Sequence, residues 1–133
     1  MSNQNEASVD VRQMFRSITF MQEHVHFWNL RAGWYTNLKT GEPAEVNVPE
    51  KMALIHSEVS EALEGYRKDL MDDKLPHRKA VEVELADTVI RILDLAGYLK
   101  LDLAGAMAEK VLYNQNRADH KIENRLQDNG KKF

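Results

Sequence analysis

Two pairs of carboxylates stand at helical spacing in this chain. Glu58 and Glu61 are three residues apart in His56-Ser57-Glu58-Val59-Ser60-Glu61, and Glu84 and Asp87 are three apart in Glu84-Leu85-Ala86-Asp87. On a helix, residues i and i+3 share a face with Cβ atoms about 5–6 Å apart, so each pair can converge on one small region. Both pairs lie beside an apolar stripe rather than opposite it: Val59 and Ala62 flank Glu61, and Leu85 and Ala86 separate Glu84 from Asp87. Like charges so placed repel, and partial burial adds a desolvation cost. A hard divalent cation offsets both. Oxygen-only ligands in a chain without cysteine favour Mg²⁺, with Mn²⁺ as substitute, over zinc. One pair alone commonly marks a solvated helix face; two pairs on consecutive helices, both bordering the core stripe, favour a metal site. Asp94, on nearly the same face as Asp87, and Glu64 are supporting neighbours. Glu82 points roughly opposite to Glu84 and reads as solvated.

A second constellation is Lys110, Asn114 and Arg117, spaced by four and three residues on one helix face. Lys110 and Arg117 have the chemistry to hold phosphate oxygens, and Asn114 offers a directed hydrogen bond. The competing reading is a solvated basic edge, which a helix C-terminus favours anyway. A third group, Trp28, Trp34, Tyr35, His24, His26, Asn29 and Asn37, lies in the first helix and the loop after it. Aromatic faces stack on bases and amides read their edges. Trp28 continues an apolar stripe and reads first as core, with base contact as the alternative. Trp34 and Asn37 lie in the loop and are freer to meet a base. His56, two residues before Glu58, points away from the acidic face and reads as structural.

The elements that must position these groups are helices. Val11, Met14, Phe15, Ile18, Met21, Val25 and Trp28 recur at helical spacing, giving a first helix that ends near Leu30 to Gly33. Asn47 caps a second helix with Pro49 and Glu50 in its first turn; the stripe Met52, Ile55, Val59, Ala62, Leu63, Tyr66, Leu70 carries it to about Leu70. Val81, Leu85, Val89, Ile92, Leu93 and Ala96 line a third helix that closes near Gly97. A fourth runs from about Asp102 to Arg117. Residues 1–8 and about 124–133 are polar and read as frayed ends. No stretch alternates like a strand. The expected class is all-α, a four-helix bundle in one domain spanning 1–133.

The motif series Glu58-x-x-Glu61, Glu84-x-x-Asp87, Lys110-x-x-x-Asn114-x-x-Arg117 resembles that of the MazG-like nucleoside triphosphate pyrophosphatases. The resemblance covers about residues 50–120. The strings Glu50-Lys51-Met52-Ala53-Leu54-Ile55-His56-Ser57-Glu58 and Ala86-Asp87-Thr88-Val89-Ile90-Arg91-Ile92-Leu93-Asp94 are similar to a phage and bacterial branch. It implies hydrolysis of a nucleoside triphosphate between the α and β phosphates; the loop carrying Trp34, Tyr35 and Asn37 could surround a purine, so a purine deoxynucleotide such as dGTP is the expected substrate. The resemblance implies Mg²⁺, two or more ions with substrate bound, on Glu58, Glu61, Glu84 and Asp87, and phosphate or sugar contacts from Lys110, Asn114 and Arg117. It also implies a homodimer or homotetramer. Glu61 is the expected carboxylate to orient water.

Composition narrows the alternatives. With 18 basic and 21 acidic residues, the net charge of −3 offers no electrostatic reason to expect nucleic acid as a partner. The absence of cysteine excludes disulfides, zinc–thiolate sites and a cysteine nucleophile. No apolar run reaches the roughly 20 residues of a membrane span, and the N-terminus lacks the apolar core of a leader, so a cytoplasmic protein of a bacterium or infected host is expected. A di-iron carboxylate bundle wants two Glu-x-x-His motifs; this chain has one, Glu23-x-x-His26. A non-catalytic helical oligomerisation or adaptor module with an acidic groove is the rival outside enzymology.

Overall fold

The computed structural model describes the backbone of residues 2–133 and side chains from Asp10 onward. It is all-α: α1 (Ser2–Arg31), α2 (Val48–Arg67), α3 (Ala80–Tyr98), α4 (Leu103–Asn116) and a short α5 (Ile122–Arg125), with a single 3₁₀ turn at Ala118–His120 between the last two. Among the described residues, bridge pairing is limited to two isolated pairs, Thr36 with Pro43 and Met71 with Lys79. None of the described helices is long and apolar enough to cross a membrane. α1 has helical backbone from Ser2, well ahead of Val11, where the apolar periodicity begins; Met1 lies outside the described residues. At the other end, residues 124–133 include the end of α5.

Local chemistry sets the helix boundaries. α1 stops where Gly33 takes φ +84°, while the Trp34 N–H returns to the Asn29 carbonyl at 3.2 Å. Only glycine adopts that conformation without a Cβ penalty. Asn47 caps α2, its Oδ1 accepting from the Glu50 N–H at 3.1 Å, and Pro49 occupies the first turn, where no donor is lost. α2 ends at Arg67, before the Leu70 that periodicity suggests, because Asp69 enters the left-handed region at φ 48°. The Leu70 N–H then bonds back to the Gly65 carbonyl at 3.0 Å. Buried Asp72 orders the connection: its Oδ2 accepts from the N–H groups of Lys74 at 2.9 Å and Leu75 at 2.6 Å. Asp102 caps α4 by accepting from the Gly105 N–H at 2.9 Å.

The chain divides into two compact units, residues 21–101 and residues 1–20 with 102–133. Within the 21–101 unit, α2 and α3 pack side by side and antiparallel: Gly65 meets Ala80 near one end of the pair, and Glu58 reaches Arg91 toward the other. Small residues allow the close approach. A Cβ on Gly65 would stand 2.9 Å from the Ala80 Cβ, and Ala62, Gly65 and Ala80 are all buried. α1 meets α3 at His26, which fills the space beside Gly97 and pairs with Asp94. In the other unit, Ile18 and Ala104 are the buried apolar residues among those described.

The expected apolar stripes are only partly interior. Ala62, Leu93 and Ala96 are buried, whereas Val59, Leu63 and Tyr66 on α2 and Leu85, Val89 and Ile92 on α3 are exposed. Trp28, expected in the core, is 68% exposed. The cause is geometric. An apolar stripe on a helix is wider than the seam a close, small-residue contact can cover, so its outer half faces away from the single partner helix.

Candidate functional site

An open cleft of about 1170 Å³ lies wholly within the 21–101 unit. Glu58 and Glu61 of α2 and Glu84 and Asp87 of α3 line it together. Three of the four, Glu58, Glu84 and Asp87, offer carboxylate oxygens within 4.8 Å of one another. The antiparallel α2–α3 crossing produces this, bringing the i, i+3 face of one helix against that of the other. Glu61 lines the cleft but is exposed and falls outside the tight trio. The expectation of four equivalent ligands thus resolves into three clustered carboxylates and one at the rim.

Crowding has an electrostatic signature. The Glu84 carboxyl is pushed up to about 7, first by burial, then by a hydrogen bond shared with Glu58 and by the charges of Glu61, Glu58 and Asp87. Glu58, only 8% exposed, is held by Arg91, whose Nε donates to its Oε1 at 2.6 Å. A buried carboxylate needs such a partner. Arg91 was not marked by the sequence motifs. It falls four residues after Asp87, and that spacing is the signal that places it on the acidic face.

Asp94 extends the same face of α3. It is buried, accepts from the Tyr35 hydroxyl through Oδ2 at 2.7 Å, and pairs through Oδ1 with His26 Nδ1 at 2.9 Å. Tyr35 is stacked on Tyr98 with centroids 5.1 Å apart, and Lys51 Nζ lies 4.8 Å from its ring centre. Burial, chiefly, and the bond to Asp94 raise the Tyr35 phenol, which is therefore a donor at neutral pH. Tyr35 is thus a core residue that braces the cleft wall. Glu64 does not share this role: it pairs with Lys68 and with Arg67 and does not line the cleft. Glu82 is exposed and bonded to Arg78 at 3.3 Å, as a solvated residue should be. His56 is exposed.

The base-contact candidates separate. Trp34 lines the cleft and is 72% exposed. Asn37 does not line it; its Oδ1 accepts from the N–H groups of Lys39 at 3.0 Å and Thr40 at 3.3 Å, so this amide oxygen builds its own loop. Trp28 is likewise outside the cleft lining, whereas Asn29 belongs to it.

Lys110, Asn114 and Arg117 belong to the other unit. α4 ends at Asn116, and Arg117 is its C-cap with extended backbone. Arg117 donates to both oxygens of Asp119, through Nε at 2.9 Å and Nη2 at 2.6 Å. Lys110 Nζ sits 4.7 Å from the centre of the Tyr113 ring, and Arg117 flanks the same ring. The Asn114 Oδ1 is buried without a hydrogen-bond partner among the described residues.

The arrangement defines an all-α protein with an open cleft in which carboxylates from α2 and α3 meet. Three convergent carboxylates could hold a hard divalent cation, and the pKa of one of them, Glu84, is raised to about 7, first by burial and then by its acidic neighbours. Compared with protein-family models, curated proteins and solved structures, the chain matches none.

Proposed function

We propose that the chain is a metal-dependent nucleoside triphosphate pyrophosphatase with a MazG-like bundle. The observation that carries the reading is the convergence of Glu58, Glu84 and Asp87 from consecutive helices in an open cleft. The motif series shared with that family supports it. Glu58, Glu84 and Asp87, with Glu61 beside them, would hold Mg²⁺ or Mn²⁺. When bound, the metal neutralises phosphate oxygens and lowers the pKa of water. Phosphoryl transfer otherwise asks mainly for positioning. Glu61 is at the rim and makes no hydrogen bond among the described residues, so one of its carboxylate oxygens is free to orient a water and accept its proton. That water attacks the α phosphorus, the bond to the α–β bridging oxygen breaks, and pyrophosphate leaves. Trp34 offers its face to a base at the cleft, and a purine, as in dGTP, presents the larger stacking surface.

The working form is proposed to be a homodimer or homotetramer in the cytoplasm. Val59, Leu63 and Tyr66 on α2, and Leu85, Val89 and Ile92 on α3, each form an exposed stripe at i, i+4, i+7, the pattern of a helix face that packs on another chain. A monomer in light scattering at micromolar concentration removes this part.

The test of the chemistry is hydrolysis of a panel of triphosphates in oxygen-18 water with Mg²⁺. Label in the monophosphate, with pyrophosphate as co-product, is the expected result. Label confined to orthophosphate or pyrophosphate refutes attack at the α position. Pyrimidine substrates outpacing purines would overturn only the base preference.

A further inference from the structure

Arg91 is bonded directly to the acidic trio. Its Nε holds Glu58 Oε1 at 2.6 Å, while its side chain remains 42% exposed. Among the described residues, Nη1 and Nη2 make no hydrogen bond, so the fork of the guanidinium is open toward the cleft that Arg91 lines. Glu84, Asp87, Arg91 and Asp94 follow one another at i, i+3, i+7 and i+10 along one face of α3. Arg91 therefore stands one turn, about 6 Å, beyond Asp87.

Two cations on one carboxylate repel each other. A divalent ion that takes Glu58 through Oε1, the oxygen that Arg91 holds, displaces the guanidinium. Once released, Arg91 is still anchored over the same cleft, with a planar fork that matches two phosphate oxygens.

We propose that Arg91 is an exchangeable counter-ion: it neutralises Glu58 in the ligand-free protein, yields that carboxylate to a divalent cation, and then clamps the polyphosphate that the cation accompanies. The inference rests on the hydrolase reading of the cleft and adds to it a phosphate-holding residue within the 21–101 unit. The exchange lowers the cost of an unpaired buried carboxylate before substrate arrives. It also ties polyphosphate binding to cation loading, because only then is the guanidinium released from Glu58 to turn onto the phosphates.

The test uses full-length protein and two ligands, Mn²⁺ alone and inorganic tripolyphosphate at saturating Mn²⁺, each followed by calorimetry. Arg91→Gln should bind Mn²⁺ about three- to tenfold more tightly than wild type, because a competing positive charge is gone. The same variant should bind Mn²⁺–tripolyphosphate at least about tenfold more weakly, because a charge-assisted fork is lost. Arg91→Lys, which keeps the charge without the fork, should leave Mn²⁺ affinity near wild type and still weaken tripolyphosphate; it also serves if the Gln variant fails to fold. A residue with only a structural role moves both affinities downward. Weakened or unchanged Mn²⁺ binding in Arg91→Gln, or unchanged tripolyphosphate binding in both variants, overturns the proposal. Wild-type protein that binds no Mn²⁺ overturns the metal-site reading, and this inference with it, whereas wild-type binding with unmoved variants overturns the inference alone.

Discussion

Replacing Glu84 by Gln should stabilise the metal-free protein at alkaline pH and have little effect at acid pH. The Glu84 carboxyl lies at about 7 in the fold against an ordinary 4.5. The folded state therefore takes up a proton between those values, and stability falls as pH rises from about 4.5 through 7. The displacement is equivalent to roughly 3 kcal/mol at about 1.4 kcal/mol per tenfold in proton affinity. That is an upper limit, because the cleft is open to water; screening brings it to on the order of 1–2 kcal/mol. Glutamine keeps the size and hydrogen-bonding reach of the neutral acid but cannot ionise. In EDTA-treated protein, the melting temperature of Glu84→Gln should match wild type near pH 4.5 and exceed it by roughly 3–10 °C at pH 8. Saturating Mn²⁺ should reverse the order at pH 8, since the cation stabilises wild type by mass action and the variant has lost a ligand. Thermal unfolding of both proteins across this pH range, with and without Mn²⁺, reads all four corners. Parallel pH profiles in EDTA would refute the crowding argument, and an unaltered order on adding Mn²⁺ would refute metal ligation by Glu84.

Other outcomes follow from the same geometry. Gly65→Ala should cost about 1–3 kcal/mol in denaturant unfolding, because its Cβ would press to 2.9 Å from Ala80 Cβ and 3.2 Å from the Val81 backbone nitrogen; unchanged stability would mean that α2 and α3 are less closely packed. Tyr35→Phe should cost about 1.5–3 kcal/mol by removing a buried donor from the Asp94 carboxylate, measured the same way, and a neutral result would deny Asp94 its bracing role. Glu58→Gln and Asp87→Asn should each lower turnover at least about a hundredfold, and near-normal rates in both would remove the site. The motif resemblance alone, and not the cleft's geometry, leads to the expectation that Lys110→Ala and Arg117→Ala weaken triphosphate binding while leaving Mn²⁺ affinity of the free protein unchanged; unchanged KM and kcat in both would return them to a basic surface edge.

Helix identity and most boundaries were legible from the chain alone because they depend on neighbours in sequence. Asn47 and Asp102 cap α2 and α4 through contacts three residues away, and Gly33 ends α1 by its own backbone freedom. The i, i+3 spacing likewise established that each carboxylate pair shares a helix face. It carried no information on depth. Whether Glu61 joins the trio or stays at the rim depends on how α3 crosses α2, and small residues such as Gly65 and Ala80 set that crossing. The Arg91–Glu58 pair spans 33 residues, and Tyr35 reaches Asp94 across 59. Both partnerships arise from tertiary packing. Trp28 shows the converse: its periodicity placed it on an apolar stripe, but burial requires a second surface, and among the described residues none covers it, leaving it 68% exposed. Periodicity determines the direction of a side chain about its own helix axis; only the packing of other elements decides whether it meets solvent, a counter-charge or a core.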